Sequence, residues 1–178
     1  MRRARIRSAA ALALLLLAGC GNQAPRFARA QETAAVTHAI TESIRWCIPE
    51  KDRGRLYAHV APDSSFFMFQ PSSQATIKGF AAFQAFAEEV FFDPAFKAIS
   101  SDIKELRVTI APSGDVAWFA CLLDDIGEWD GRRIGWHDCR WTGVLEKRDG
   151  KWLLVQQHFS LPTDRPAAAA SGDSSASG

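Results

Sequence analysis

Asp125 and His137 are the two residues whose types and spacing could do acid–base chemistry in this chain. Each sits towards the end of an apolar, strand-like run, and a loop centred on Asp130 would bring the two runs side by side. A carboxylate beside an imidazole can take a proton from a substrate and return it near neutral pH. The same stretch holds Asp124, Glu128, Asp130, Arg132 and Arg133, so a solvated rim is the competing reading. A second constellation favours binding: Trp141, Gly143 and Gln157 supply an aromatic wall, a hollow and one amide to orient a ligand. Tight packing beneath Trp46 and Tyr57 explains Gly143 equally well. Cysteines are the third resource. A loop centred on Asp130 sets Cys121 opposite Cys139 at a separation a disulfide could bridge, with Cys47 as the competing partner and one thiol left odd. His137, Cys139, Cys121 and Cys47 match no established zinc spacing, so no metal is expected, and no cofactor motif is present. His59, near Tyr57, reads as a surface residue.

The elements that must position these groups follow from periodicity. Val36, Ile40, Ile44 and Cys47 define an amphipathic helix stopped by Pro49, and a short helix spans 53–60. Residues 65–69 read as a strand, and Gly79 leads into a helix carrying Phe80, Phe83, Phe86 and Val90. Long strands follow near 103–111, 115–125, 135–147 and 151–161, the last two joined at Asp149-Gly150. Helices followed by an antiparallel meander make an α+β domain. It is expected over residues 31–161, with a tether at 20–30 and a disordered tail at 162–178, rich in alanine, serine and glycine.

The first nineteen residues read as a secretory signal, with four arginines before an apolar run. Leu17-Ala18-Gly19-Cys20 resembles the lipobox of bacterial lipoproteins, which implies lipidation of Cys20 and attachment to the cell envelope. Gly21 after the cysteine leans towards the outer membrane, on the periplasmic side, in a Gram-negative cell. Loss of the four arginines from a formal charge of +1 leaves a mildly acidic chain, which excludes a basic nucleic-acid footprint.

The order of helix, short helix, hairpin and Gly79-led helix, closed by Arg148-Asp149-Gly150-Lys151-Trp152 and His158-Phe159-Ser160, resembles the nuclear transport factor 2-like superfamily in its SnoaL-like branch. The resemblance implies a cone-shaped, cystatin-like fold in which a curved antiparallel sheet wraps over N-terminal helices around a pocket. It also implies frequent dimerisation through the sheet. Ketosteroid-isomerase relatives carry a general-base carboxylate just before a proline in the first hairpin, where this chain has Gln70-Pro71. His158 and Ser160 match the family's terminal histidine–serine pair.

Register decides which side chains share a face. A three-residue loop at 148–150 pairs Trp141 with Gln157 and puts Phe119, Cys121, Trp141, Gly143, Gln157 and Phe159 on the concave face. A two-residue turn would swap the last strand and bring His158 and Ser160 inside. The outward face carries Trp118, Arg140, Thr142, Gln156 and His158 and is expected to pair two copies. The expected pocket comprises Trp46, Tyr57, Phe67, Phe69, Phe83, Phe119, Trp141, Gly143, Gln157 and Phe159. The resulting expectation is an envelope lipoprotein that binds a small apolar or aromatic ligand, or an envelope partner, without turnover. A lyase or isomerase using His137 and Asp125 is the alternative.

Overall fold

The computed structural model describes residues 26–71 and 76–162. The expected signal segment, Cys20 and most of the tail lie outside them. Helix α1 (Arg26–Arg45) begins inside the expected tether and turns Val36, Ala39 and Ile40 into the core at the anticipated i, i+4 spacing. Helix α2 (Arg53–Ala58) starts at Asp52, whose carboxylate accepts from the Arg55 amide at 3.0 Å and caps the first turn. Arg55 then reaches Glu42 of α1 at 2.8 Å and ties the two helices together.

Strands β1 (Phe67–Phe69) and β2 (Thr76–Lys78) form a short hairpin. Helix α3 (Phe80–Phe86) follows Gly79, whose φ of 82° suits glycine, and widens into a π-helical turn over Ala87–Phe91. The meander consists of β3 (Phe96–Ile110), β4 (Val116–Trp129), β5 (Arg132–Arg148) and β6 (Lys151–Ser160). The six strands are ordered β2-β1-β6-β5-β4-β3. All neighbours are antiparallel except β1 and β6, which run parallel, so the sheet is mixed and not purely antiparallel.

The turns and bulges set the register. Asp130-Gly131 and Asp149-Gly150 are both two-residue turns with positive φ at each position (49° and 76°, 49° and 79°), the conformation that matches strand twist in tight hairpins. The three-residue loop expected at 148–150 is therefore replaced by pairing of Arg148 with Lys151. By parity alone this would have turned His158 and Ser160 inward. A bulge at Val155 adds one residue to β6 and reverses the swap. Before it, Leu145 pairs with Leu154 and Lys147 with Trp152; beyond it, Gly143 pairs with Gln157 and Trp141 with Phe159. Trp152 and Leu154 thus join the core, while Gln157 and Phe159 remain on the concave face.

A second bulge lies in β5. Leu123 pairs with Cys139 and Asp125 with Trp136, so His137 and Asp138 together oppose Asp124, with Asp138 at φ 51°. Bulges bend the strand that carries them, and two further irregularities in β3 add to the curvature. The helices close over the hollow side of the sheet.

Candidate functional site

Between the helices and the sheet is a cavity of about 270 Å³. The C-terminal part of α1 and the residues after it contribute Ser43, Ile44, Trp46 and Cys47, and α3 with its π turn contributes Phe83, Phe86, Val90 and Phe91. The sheet contributes Phe96 and Ala98 from β3, Asp125, Ile126, Gly127 and Trp129 from β4, Ile134 to Trp136 from β5, and Gln157 and Phe159 from β6. Met68 and Gln70 close the side nearest β1. The π turn brings Val90 and Phe91 onto the same wall as Phe86, a use of such wide turns common at functional sites. Gly135 lets β5 approach β4 closely, since a Cβ there would collide with the Asp125 carbonyl oxygen.

The inner wall is a column of rings. Phe119 packs edge-on against Trp141 at 4.9 Å, Trp141 stacks on Phe159 at 5.5 Å, and Phe159 meets Trp136 at 5.6 Å. Phe159 and Trp136 touch the cavity, whereas Phe119 and Trp141 lie behind it. The Trp141 indole N–H donates to Gln157 Oε1 at 3.1 Å. An indole nitrogen can only donate, so the amide oxygen must face it, leaving the Gln157 NH₂ for the cavity side.

Among the described residues, Asp125 supplies the cavity's sole carboxylate. Its Oδ1 accepts from the Ser101 hydroxyl at 2.6 Å, and burial holds its pKa above the ordinary aspartate value. Among the described residues, neither Lys, Arg nor His lines the cavity. Cys47 lines it too, but burial pushes that thiol up to about 12, which leaves it an inert thiol at neutral pH.

A family model described as a SnoaL-like domain matches residues 36–164. The chain belongs to the SnoaL-like domain family. No curated protein matches the sequence. Among solved structures, a nuclear transport factor 2-like protein of unknown function from Pseudomonas putida is 20% identical with a TM-score of 0.59, covering 78% of this chain and 91% of its own. A type 2 hexachlorocyclohexane dehydrochlorinase is 19% identical with a TM-score of 0.62, covering 82% of this chain and 95% of its own. At these identities the likeness establishes the fold, which is nuclear transport factor 2-like.

Within this SnoaL-like domain the expected residues divide sharply. Trp46, Phe83, Gln157 and Phe159 line the cavity. Tyr57 does not; its ring packs against Phe80 and Phe83 at 5.4 and 6.1 Å. Phe67 and Phe69 point to the convex side, because Phe66, just before β1, and Met68 within it turn inward instead. Gly143 is no hollow either: an added Cβ would meet Phe119 Cε1 at 2.6 Å and the Gln156 carbonyl oxygen at 2.7 Å. Close packing accounts for it, beneath Phe119 and not beneath Trp46 and Tyr57.

The SnoaL-like domain does not assemble the His137–Asp125 pair. The β5 bulge turns His137 onto the convex surface, 71% exposed, where Nδ1 lies 3.5 Å from Asp124 Oδ2. Asp124 in turn takes Lys104 at 2.8 Å, which holds its pKa down at about 2. The same bulge puts His137 and Cys139 on opposite faces, so the residues considered for zinc are not gathered. Cys121 pairs with Trp141 and Cys139 with Leu123, so the two cysteines are not cross-strand partners. Cys47, Cys121 and Cys139 are all buried free thiols, and the expected disulfide is not formed. Trp118, Arg140, Thr142 and His158 lie exposed on the convex face, with Gln156 half-buried beside them. His59 is half-buried, edge-on to His38 at 5.7 Å. Trp129, Trp136, Phe91 and Phe96 were not anticipated in the site. The signal for the tryptophans was available: both flank the Asp130 turn at matching parity.

Proposed function

We propose that this chain is a ligand-binding module that holds a small aromatic or apolar molecule in the cone without turning it over. The observation that carries the reading is the character of the cavity. It is walled by tryptophan and phenylalanine, offers a few placed polar groups, and contains none of the chain's four histidines. At about 270 Å³ it suits a compact ligand of one or two rings. Native mass spectrometry of the protein purified without detergent tests this. A co-purifying small molecule recovered chemically unchanged supports binding, and a cone that takes up no apolar probe sinks the idea.

One observation favours an enzymatic second reading. Asp125 is a carboxyl held above its usual range inside an apolar cavity, the setting in which such a group can exchange protons with carbon. It would act alone, as a lyase- or isomerase-type base, since His137 faces away. Conversion of the recovered ligand by the wild type but not by Asp125→Asn is the result that selects this reading.

The setting we infer is the bacterial cell envelope, with the domain anchored through lipidated Cys20. This rests on the lipobox-like Leu17-Ala18-Gly19-Cys20. Residues 21–25 alone separate that cysteine from the start of α1. Metabolic labelling with palmitate checks it: label should vanish in Cys20→Ser, and undiminished labelling refutes the anchor. Two copies would pair through the convex sheet face around Trp118, which is 47% exposed. A Trp118→Glu variant that sediments as the wild type does would remove that assignment.

A further inference from the structure

We infer that the cavity is built for a small organic cation, an aromatic amine or quaternary ammonium, seated between the tryptophan and phenylalanine walls and the Asp125 carboxylate. This deepens the binding reading and rests on it. The first support is charge asymmetry: among the described residues, one carboxylate lines the cavity and no basic side chain does. The surroundings of Asp125 do not neutralise it. Ser101 gives one hydroxyl hydrogen bond, and the neighbouring thiols of Cys47 and Cys139 are both driven upwards, partly by the Asp125 charge. Arg45 is the guanidinium on the adjoining helix, but it donates to the Ser101 carbonyl at 3.3 Å and makes no ion pair with Asp125. Among the described residues no hydrogen bond reaches the second carboxylate oxygen. A buried charge without a partner is costly, and a cationic ligand would supply the missing partner.

The second support is the wall. Trp46, Phe91, Phe96, Trp129, Trp136 and Phe159 offer electron-rich ring faces, the setting that attracts ammonium groups. The domain already makes this contact at its surface, where the Lys51 ammonium lies 5.4 Å from the Phe96 ring centre. The Gln157 NH₂ adds one donor, so a ligand carrying a hydrogen-bond acceptor apart from its cationic group fits best.

The test compares phenyltrimethylammonium with its uncharged isostere tert-butylbenzene, titrated into the intact domain at neutral pH and followed by tryptophan fluorescence. The expected result is about tenfold or greater preference for the cation. In Asp125→Asn the preference should collapse while the neutral isostere binds as before, which also shows that the variant is folded. Equal or tighter binding of the neutral probe in the wild type overturns the cation inference and leaves an apolar binding site. A preference that survives Asp125→Asn removes Asp125 from the recognition. Failure of both probes to bind would defeat the binding reading itself.

Discussion

Replacing Gly143 by alanine tests whether that position is packed or hollow. The new methyl carbon would lie 2.6 Å from Phe119 Cε1 and 2.7 Å from the Gln156 carbonyl oxygen, where ordinary contacts begin near 3.4 Å. Neither neighbour yields easily. Phe119 is 2% exposed and braced edge-on against Trp141, and the Gln156 carbonyl belongs to the strand paired with β5. Overpacking of this kind costs about 1–3 kcal/mol, and two simultaneous overlaps place Gly143→Ala towards the upper end. For a domain of this size that corresponds to a fall in Tm of roughly 5–15 °C. Urea denaturation gives the free energy, and a Phe119→Ala background separates the two overlaps. With the ring gone, the additional penalty of Gly143→Ala should drop by at least half, because only the carbonyl contact remains. Gly143 is not part of the cavity wall, so probe binding by the surviving folded fraction should be unchanged. A Gly143→Ala protein within about 0.5 kcal/mol of wild type would refute the packing argument and restore the hollow floor.

Further expectations follow from the same site. Gln157→Leu leaves the buried Trp141 indole N–H without its acceptor and should cost about 1–3 kcal/mol, read by urea midpoint; a neutral result would mean that the indole finds another partner. Asp125 has its folded pKa raised, so its protonated form is favoured: that contribution is full below the unfolded value near 3.8 and disappears as pH rises through the folded value. Asp125→Asn should therefore gain stability relative to wild type as pH rises across this window, and a pH-independent difference would contradict the burial argument. By the same linkage, affinity for the ammonium probe should weaken as the solution is acidified and the carboxylate takes a proton. Cys47, Cys121 and Cys139, with thiols at about 12, 12 and 11, should resist alkylation in the native protein and react once it is unfolded. Rapid native labelling would show that one of them is accessible.

Much of the fold was legible in the residues. The helix carrying Val36 and Ile40, the Gly79-led helix and the four long strands all emerge from period and punctuation. So does the inward set Phe119, Cys121, Leu123 and Trp141, whereas Gln157 and Phe159 face inward only because the bulge at Val155 offsets a turn shorter than expected. What periodicity cannot see is a residue outside the ladder. The bulge at His137-Asp138 converts an apparent concave histidine into a surface one, and no composition signal marks it. β1 was too short for alternation to choose a face, so Phe67 and Phe69 were assigned inward although Met68 fills that role. Trp129 and Phe96 lie beyond the expected strand ends, and a loop centred on Asp130 phases Trp136 outward where the two-residue Asp130-Gly131 turn phases it inward.

The bulge at Val155 separates β6 into two independently phased halves. The half next to the turn is phased to the core through Trp152 and Leu154, and the far half is phased to the cavity through Gln157 and Phe159. Were Val155 taken up into the ladder, the far half would present Gln156, His158 and Ser160 instead, placing an imidazole and a hydroxyl on the same side as Asp125. The chemical repertoire of this cone is thus a property of backbone phase as much as of residue identity. In this SnoaL-like domain, one residue's pairing decides whether His158 and Ser160 face the cavity or the convex side, without any change in amino-acid composition.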